Sequence, residues 1–389
     1  MRTTRGSDPI ARIESILPEC QTGRMEDYLS PSAQITDPTD QVDLYRILDA
    51  AANRAREGLR VIEDYVRFAH DDRLLTAELK SLRHELKEAL DQFPFQELLV
   101  ARDTLRDVGT EVTASGEQLR CTPLHVVTAN FKRAQEAIRT LEEFAKLEGT
   151  RSVDRFERAR YRLYTLERAV VGGTEGRALL EGVTLYALLT SQLCPGGLEW
   201  TVHEAIAGGV QMIQLREKSM SDRELVALSH RVRTWTKEGG ALFIVNDRPD
   251  IARLVNADGV HLGQEDLSVK DARRVVGPRA LIGVSTHSIE QARQAVLDGA
   301  SYIGVGPTYP SDTKRFDSFT GVELVRQVHA EIRLPTFVIG GVNLDRLDQV
   351  LEAGACRVAV SAAISSAEDP RAAAAAFREK LQTVRDRIR

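Results

Sequence analysis

The chain has 389 residues, 42% of them apolar and 28% charged, with a formal net charge of −5. That length exceeds one average domain and predicts two. The charge balance excludes an electrostatic footprint for nucleic acid and a basic tract for a membrane surface, so any cations that matter must be local. No apolar run is long enough to span a bilayer, and residues 1–18 carry arginines without an apolar core of signal-peptide length. Cys20, Cys121, Cys194 and Cys356 lie far apart without metal-ligand spacing. They read as reduced thiols of a cytoplasmic protein.

Residues 1–41 are rich in Pro, Ser, Thr, Asp and Gln and read as a flexible tail, with one short helix at 10–17. From 42 to 171 the pattern is helical. Leu44, Ile47, Leu48, Ala51 and Ala55 fall on one face, and Leu59, Ile62, Val66 and Ala69 continue the stripe. Within this half, residues 54–65 (RAREGLRVIEDY) repeat as 133–144 (RAQEAIRTLEEF), which predicts two similar helices packed as a pseudo-symmetric pair. Arg54, Arg60, Arg133 and Arg139 then either form a basic cleft or pair with Glu57, Glu63, Glu136 and Glu142 along the helix faces; pairing is the commoner outcome of alternating charges. Residues 172–178, GGTEGRA, read as a linker.

Beyond the linker, at 179–389, the period changes. Eight β-favouring runs occur at 183–190, 210–215, 242–246, 259–262, 281–284, 302–305, 336–339 and 357–361. Helix-like segments at 222–237, 268–276, 288–299, 321–332 and 343–353 separate most of them, while the stretch from Asp247 to Gly259 is short for a full crossover. Strands alternating with helices imply a parallel sheet, and eight strands in this length favour a closed (β/α)8 TIM barrel of α/β class over an open sheet. The expected architecture is a mainly α-helical domain followed by that barrel.

In such a barrel the active site lies where the strands end. Gln214, Arg216 and Lys218 end the second strand and Asn246 and Asp247 the third, while Gln264, Glu265 and Asp266 follow the fourth. Ser285, Thr286 and His287 end the fifth, the loop Ser311-Asp312-Thr313-Lys314 follows the sixth, Gly340-Gly341 close the seventh and Ser361 the eighth. Asp247 and Asp266 are hard oxygen ligands suited to Mg²⁺, which prefers a few carboxylates with waters and phosphate oxygens. Arg216, Lys218 and Lys314 are the candidate catalytic cations, able to neutralise phosphate charge and stabilise a departing pyrophosphate. The hydroxyls of Ser311 and Thr313 and the glycines at 340 and 341 suit a second phosphate without metal. His261 alternates within a strand and reads as packed or hydrogen-bonded; His287 has no assigned role. No Ser/His/Asp relay or Cys/His pair is evident.

At these residues the second half resembles the bacterial thiamine phosphate synthases, through QLREK, ND, HLGQED, GVSTH, GPTYPSDTK and IGGV in order. The resemblance implies a TIM barrel that joins hydroxymethylpyrimidine diphosphate to hydroxyethylthiazole phosphate, giving thiamine phosphate and pyrophosphate, with Mg²⁺. By the family's pattern Gln214, Leu215, Arg216, Glu217, Lys218, Asn246, Ser285 and Lys314 contact the pyrimidine diphosphate, and Asp247 and Asp266 hold the metal. Ser311, Asp312, Thr313, Gly341, Val360 and Ser361 bind the thiazole phosphate, Ser311 standing where Thr is usual. The helical half resembles a domain found ahead of such synthases, through NRAREGLRVIEDYVRF, RDTLRDVG and ANFKRAQEAIRTLEEF, and a relative is suggested to phosphorylate hydroxymethylpyrimidine phosphate. It has no Walker-type loop; Arg102, Asp103 and Asp107 either bind phosphate and metal or cap helices. A thiazole tautomerase-like barrel and a non-catalytic phosphate-binding barrel are the alternatives, and oligomeric state is open.

Overall fold

The computed structural model describes residues 38–103, 120–148, 152–310 and 319–388. The expected helix at 10–17, Cys20, Asp107, and Ser311, Asp312, Thr313 and Lys314 lie outside them. The helical half comprises α1 (Pro38–Phe68), α2 (Arg73–Leu90), α3 (Phe95–Ala101), α4 (Pro123–Ala145) and α5 (Val153–Leu179). The second half begins β1 (Leu185–Leu189), α6 (Leu198–Ala207), β2 (Met212–Leu215), α7 (Asp222–Glu238), β3 (Leu242–Asn246) and α8 (Pro249–Leu254). It continues β4 (Gly259–Leu262), α9 (Val269–Val276), β5 (Leu281–Thr286), α10 (Ile289–Leu297), β6 (Tyr302–Val305) and α11 (Gly321–Glu331). It ends β7 (Thr336–Val338), α12 (Leu344–Glu352), β8 (Val358–Val360), α13 (Ala362–Ser365) and α14 (Pro370–Ile388).

All eight expected runs hold a strand, β5 running two residues past its expected end to Thr286. The strands pair in parallel in chain order, and β8 returns to β1, so the sheet is a closed barrel. The short crossover is filled by α8, a helix of six residues. Helices α7, α9, α10 and α12 start on Ser221, Ser268, Ser288 and Asn343, whose side chains accept from backbone amides three residues on. Those caps set each helix start just past the rim. Alternate strand residues face inward: Tyr186, Met212, Ile244, Leu281, Tyr302, Phe337 and Ala359 fill the interior, while Leu185, Ala187, Leu189, Ile213 and Leu215 pack outward under the helices. A Cβ on Gly283 would fall within the Tyr302 ring, so that glycine makes room for the aromatic filling.

In the helical half α1 packs along α4 and α2 along α5. Leu44, Leu48, Ala51, Ala55, Leu59, Ile62 and Val66 are buried as the stripe requires, whereas Ala69 is exposed. The repeat extends to the charges. Glu63 and Glu142 are each 4% exposed, Glu63 held by Arg60 and by Arg83 of α2, Glu142 by Arg139 and by Arg160 of α5. Arg60 and Arg139 thus pair as the solvated-face alternative has it, but Arg54 and Arg133 make no ion pair with Glu57 or Glu136 among the described residues. Arg102 forms a two-pronged pair with Asp49 at 2.7 and 2.8 Å, tying the end of α3 to α1.

Two boundaries differ from expectation. α1 begins at Pro38, inside the expected tail. Residues 172–178 are not a linker: α5 runs through them unbroken to Leu179. Glycine costs about 1 kcal/mol in a helix, but here the missing side chains let α5 approach the barrel. A Cβ on Gly176 would collide with the Ser301 carbonyl, Gly173 faces Leu334, and Gly172 faces Gly299. These partners precede β6 and β7, so the helical half sits on the face where strands begin. Leu180, fully buried, continues α5 into the barrel interior.

Asp72 ties the seam. Its carboxylate caps α2 at Leu75, meets Arg177 at 3.4 Å and accepts the Arg333 amide at 3.3 Å. His70 lies beside it, its Nε2 3.0 Å from the Tyr65 hydroxyl and its Nδ1 buried without a partner. Burial, then the Arg177 charge, lowers its pKa to about 4.

Gly176→Val should force α5 off the barrel and lower stability by about 1–3 kcal/mol, read by urea unfolding. His70 also predicts a pH dependence. Below pH ~6.5 the unfolded chain takes up a proton that the folded chain refuses, so stability falls as pH drops from about 6.5 towards 4 and is flat above. His70→Gln should reduce that fall in thermal melts, leaving the part of the same sign that buried His261 contributes; an unchanged slope would remove His70 as a source.

Candidate active site

A cavity of about 810 Å³ opens at the C-terminal ends of the strands. Gln214, Arg216, Lys218, Asn246, Asp247, Asp266, Ser285, Gly341, Val360 and Ser361 all line it, so ten sequence-expected residues from several separate strands and their loops meet at one mouth. Strand parity explains the choice. Gln214 and Arg216 face in; between and beyond them, Leu215 and Glu217 do not. Leu215 is buried in the outer layer, and Glu217 accepts from the Ser191 amide and hydroxyl, both at 2.7 Å. Of the run 214–218, the Leu215 and Glu217 side chains thus lie off the cavity, because a strand presents every second side chain to one face.

Asp247 and Asp266 come together across the ends of β3 and β4. Asp247 has a left-handed backbone, φ 59°, fixed by its amide donating to the His261 carbonyl at 2.8 Å. Lys218 donates to its carboxylate. Asp266 is oriented by the Gly263 amide at 2.6 Å. Burial pushes the Asp247 carboxyl up, but hydrogen bonds from Lys218 and Asp266 outweigh it and its pKa is lowered. Burial, then the hydrogen bond with Asp247, raises Asp266. The two shifts are opposed because neighbouring like charges resist joint ionisation. Such a crowded oxygen pair suits a hard divalent cation. Among the described residues no cluster of three or more His, Cys, Asp or Glu could hold a metal, so a cation here would take its remaining ligands from water and substrate.

Arg216 lines the same wall with no ion-pair partner among the described residues. Opposite, Gly341 has φ 66° and packs against the Pro310 carbonyl, while Arg346 donates to the Gly341 carbonyl at 2.8 Å. The glycine therefore accommodates the 307–310 segment as well as the cavity. His287 receives a role: its ring nitrogen bonds the Gly306 carbonyl, holding the exit of β6.

The floor was not read from the sequence. Tyr186, Tyr302, Phe337 and Ile339 close the cavity from below. Parity was the available signal, since Tyr186 and Gln214 stand at inward positions of adjacent strands. His261 is hydrogen-bonded as expected, to Tyr302 and Ser285, and burial lowers its pKa to about 4.

Comparison with known proteins follows this division. A profile described as thiamine monophosphate synthase matches residues 185–364, and one described as ThiD2 family matches residues 46–169. The thiamine-phosphate synthase of Gloeobacter violaceus is 46% identical over 336 residues, covering 86% of this chain and 96% of that protein. The chain belongs to the thiamine-phosphate synthase family. The family's protein from Rhodopirellula baltica is 42% identical over 353 residues, covering 88% of this chain and 94% of its own. A solved thiamine phosphate pyrophosphorylase from Pyrococcus furiosus is 35% identical, covering 53% of this chain and 98% of that one, with a TM-score of 0.49. Membership makes this chain an enzyme that forms thiamine phosphate from a pyrimidine diphosphate and a thiazole phosphate, a transferase of thiamine biosynthesis. No helix among the described residues is long and apolar enough to cross a membrane.

Asp247→Asn keeps a residue that tolerates the left-handed backbone and removes the charge. Turnover should fall at least about 10²-fold with the thermal midpoint unchanged or raised. A near-normal rate in a purified assay would exclude Asp247 from the reaction.

Proposed function

We propose that the rim of the barrel performs the condensation by cation-assisted departure of pyrophosphate. The observation that carries this is the convergence of Asp247, Asp266, Lys218 and Arg216 on one wall of the cavity. Asp247 and Asp266 would hold Mg²⁺, which when bound supplies positive charge to the diphosphate oxygens. Lys218 and Arg216 neutralise the remaining charge on the leaving group, with Lys314, which lies outside the described residues, as a third cation. The C–O bond of the pyrimidine diphosphate breaks with its electron pair going to pyrophosphate. The electron-rich aminopyrimidine stabilises the resulting methylene cation, and the thiazole nitrogen lone pair forms the new C–N bond. That nitrogen has no proton to lose, which fits the lack of a general-base relay in the sequence.

Gln214, Asn246 and Ser285 would orient the pyrimidine; Gly341, Val360 and Ser361, with Ser311, Asp312 and Thr313 of the undescribed loop, would receive the thiazole phosphate. A tautomerase-like reading is disfavoured because an isomerisation has no departing pyrophosphate for the carboxylate pair and its cations to serve.

For the helical half we infer a supply role, phosphorylation of hydroxymethylpyrimidine phosphate, supported by the match of residues 46–169 to the ThiD2 family profile. Its packing on the face where strands begin puts it at the end of the barrel opposite the cavity, and the aromatic filling closes the interior between. An intermediate made there would reach the rim through solvent.

With both substrates the full chain should release pyrophosphate only when Mg²⁺ is present, losing activity to a chelator and regaining it on Mg²⁺ addition. Lys218→Ala should cost about 10²-fold in kcat. In the same protein, ATP should permit thiamine phosphate formation from the pyrimidine monophosphate; well-folded protein that needs the diphosphate even with ATP would rule out the supply role.

A further inference from the structure

Five side chains beneath the cavity form one hydrogen-bonded chain across the barrel. Gln214 Nε2 donates to the Tyr186 hydroxyl at 2.5 Å, and the Tyr186 and Tyr302 hydroxyls are 3.2 Å apart. The Tyr302 hydroxyl is 3.2 Å from His261 Nδ1, and His261 Nε2 is 2.9 Å from Ser285 Oγ. The inner members are buried, with Tyr186 1%, Tyr302 0% and His261 8% exposed. The two ends, Gln214 and Ser285, keep hydrogen-bonding capacity on the cavity side.

The orientation of the Gln214 amide selects the order. A hydroxyl has one proton to give, and a neutral imidazole has one donor and one acceptor nitrogen. Gln214 donates through nitrogen, so Tyr186 accepts and sends its own proton to Tyr302. Tyr302 sends its proton to His261 Nδ1, which must then accept. The ring proton sits on Nε2 and goes to Ser285 Oγ, leaving the Ser285 proton free to point into the cavity. At the other end, the same amide orientation turns the Gln214 oxygen towards the cavity, with no protein partner among the described residues. The cavity therefore meets an acceptor at Gln214 and a donor at Ser285. The reverse order is the other self-consistent one, and it exchanges those two roles.

We propose that this proton-ordered chain is the specificity determinant of the pyrimidine pocket, with His261 a positioning residue held as its Nε2–H tautomer. The proposal rests on the reading of the site given above. An amino group donates while the adjacent ring nitrogen accepts, which matches the pattern offered. An analogue with oxygen in place of the amino group presents a carbonyl acceptor beside a ring N–H donor. To admit it, the Gln214 amide must flip, two tyrosine protons must turn and His261 must change tautomer together. Discrimination between the two ligands is thereby spread over groups that touch neither.

The test uses the full chain with Mg²⁺, thiazole phosphate, and either the amino substrate or its oxo analogue. Tyr302→Phe keeps the ring and removes the link to Nδ1. It should lower discrimination against the oxo analogue by about 10-fold and raise KM for the amino substrate by about 10-fold, the size of one lost hydrogen bond. KM for thiazole phosphate should not move, which a general loosening of the barrel would not spare. Tyr186→Phe should likewise weaken discrimination by freeing the Gln214 amide, yet leave the histidine tautomer as it was. Nitrogen NMR of labelled histidine reads that directly: Nε2–H in the parent and in Tyr186→Phe, a tautomer mixture in Tyr302→Phe. An Nδ1–H ring in the parent, or unchanged discrimination in both folded variants, overturns the proposal while leaving the condensation intact. A parent that releases no pyrophosphate from the amino substrate overturns the proposal and the site reading together.

Discussion

Closing eight parallel strands into a ring forces every second residue of each strand inward, and the active-site geometry follows from that constraint. Below, inward positions carry Tyr186, Met212, Ile244, Leu281, Tyr302 and Phe337, which fill the interior and leave no open bore. Above, they carry Gln214, Arg216, Asn246 and Ser285, which face one cavity. The outward positions between them lie under the helices, and their burial, worth about 1.5–3 kcal/mol for each large aliphatic side chain, keeps the ring closed. Function thus stands on the same alternation that stabilises the fold.

The wall that carries the acidic pair is under internal strain of two kinds. Asp247 holds a backbone conformation that few non-glycine residues adopt, and its carboxylate lies against that of Asp266. Lys218 relieves part of the repulsion from one side. A protein selected for stability alone would place neither carboxylate here, and such crowding is characteristic of groups that bind charge. Beneath them the tyrosine and histidine network is fully paired, so the strained pair rests on a rigid polar floor.

The relation of the two halves is set by small residues rather than by a flexible connection. The Gly172, Gly173 and Gly176 face of α5 meets the loops at 299–301 and Leu334, and Asp72 joins α2, α5 and the barrel through three partners. The helical half and the cavity consequently occupy opposite ends of the barrel. In the helical half itself, duplication is visible in the two buried glutamates, each served by one arginine from its own helix and one from the neighbouring helix.

Local chemistry made much of this legible in advance. The eight strands, the abbreviated unit at α8 and the convergence of polar groups on one rim follow from period-two runs, cap residues and their spacing, all of which act within a few residues. The same local signals misread two places. GGTEGRA looks like a linker because glycine disfavours a helix on its own; only a packing partner distant in sequence, the loop at Ser301, makes the helix favourable. Leu215 and Glu217 belong to a recognisable motif, yet strand parity turns their side chains away from the cavity. The amino-acid order by itself therefore determined which elements form and which residue types gather at their ends. The tertiary structure alone decided which carboxyls lie side by side, which end of the barrel the helical half covers and which buried side chains join in one chain of hydrogen bonds, because those depend on distances between residues far apart in sequence.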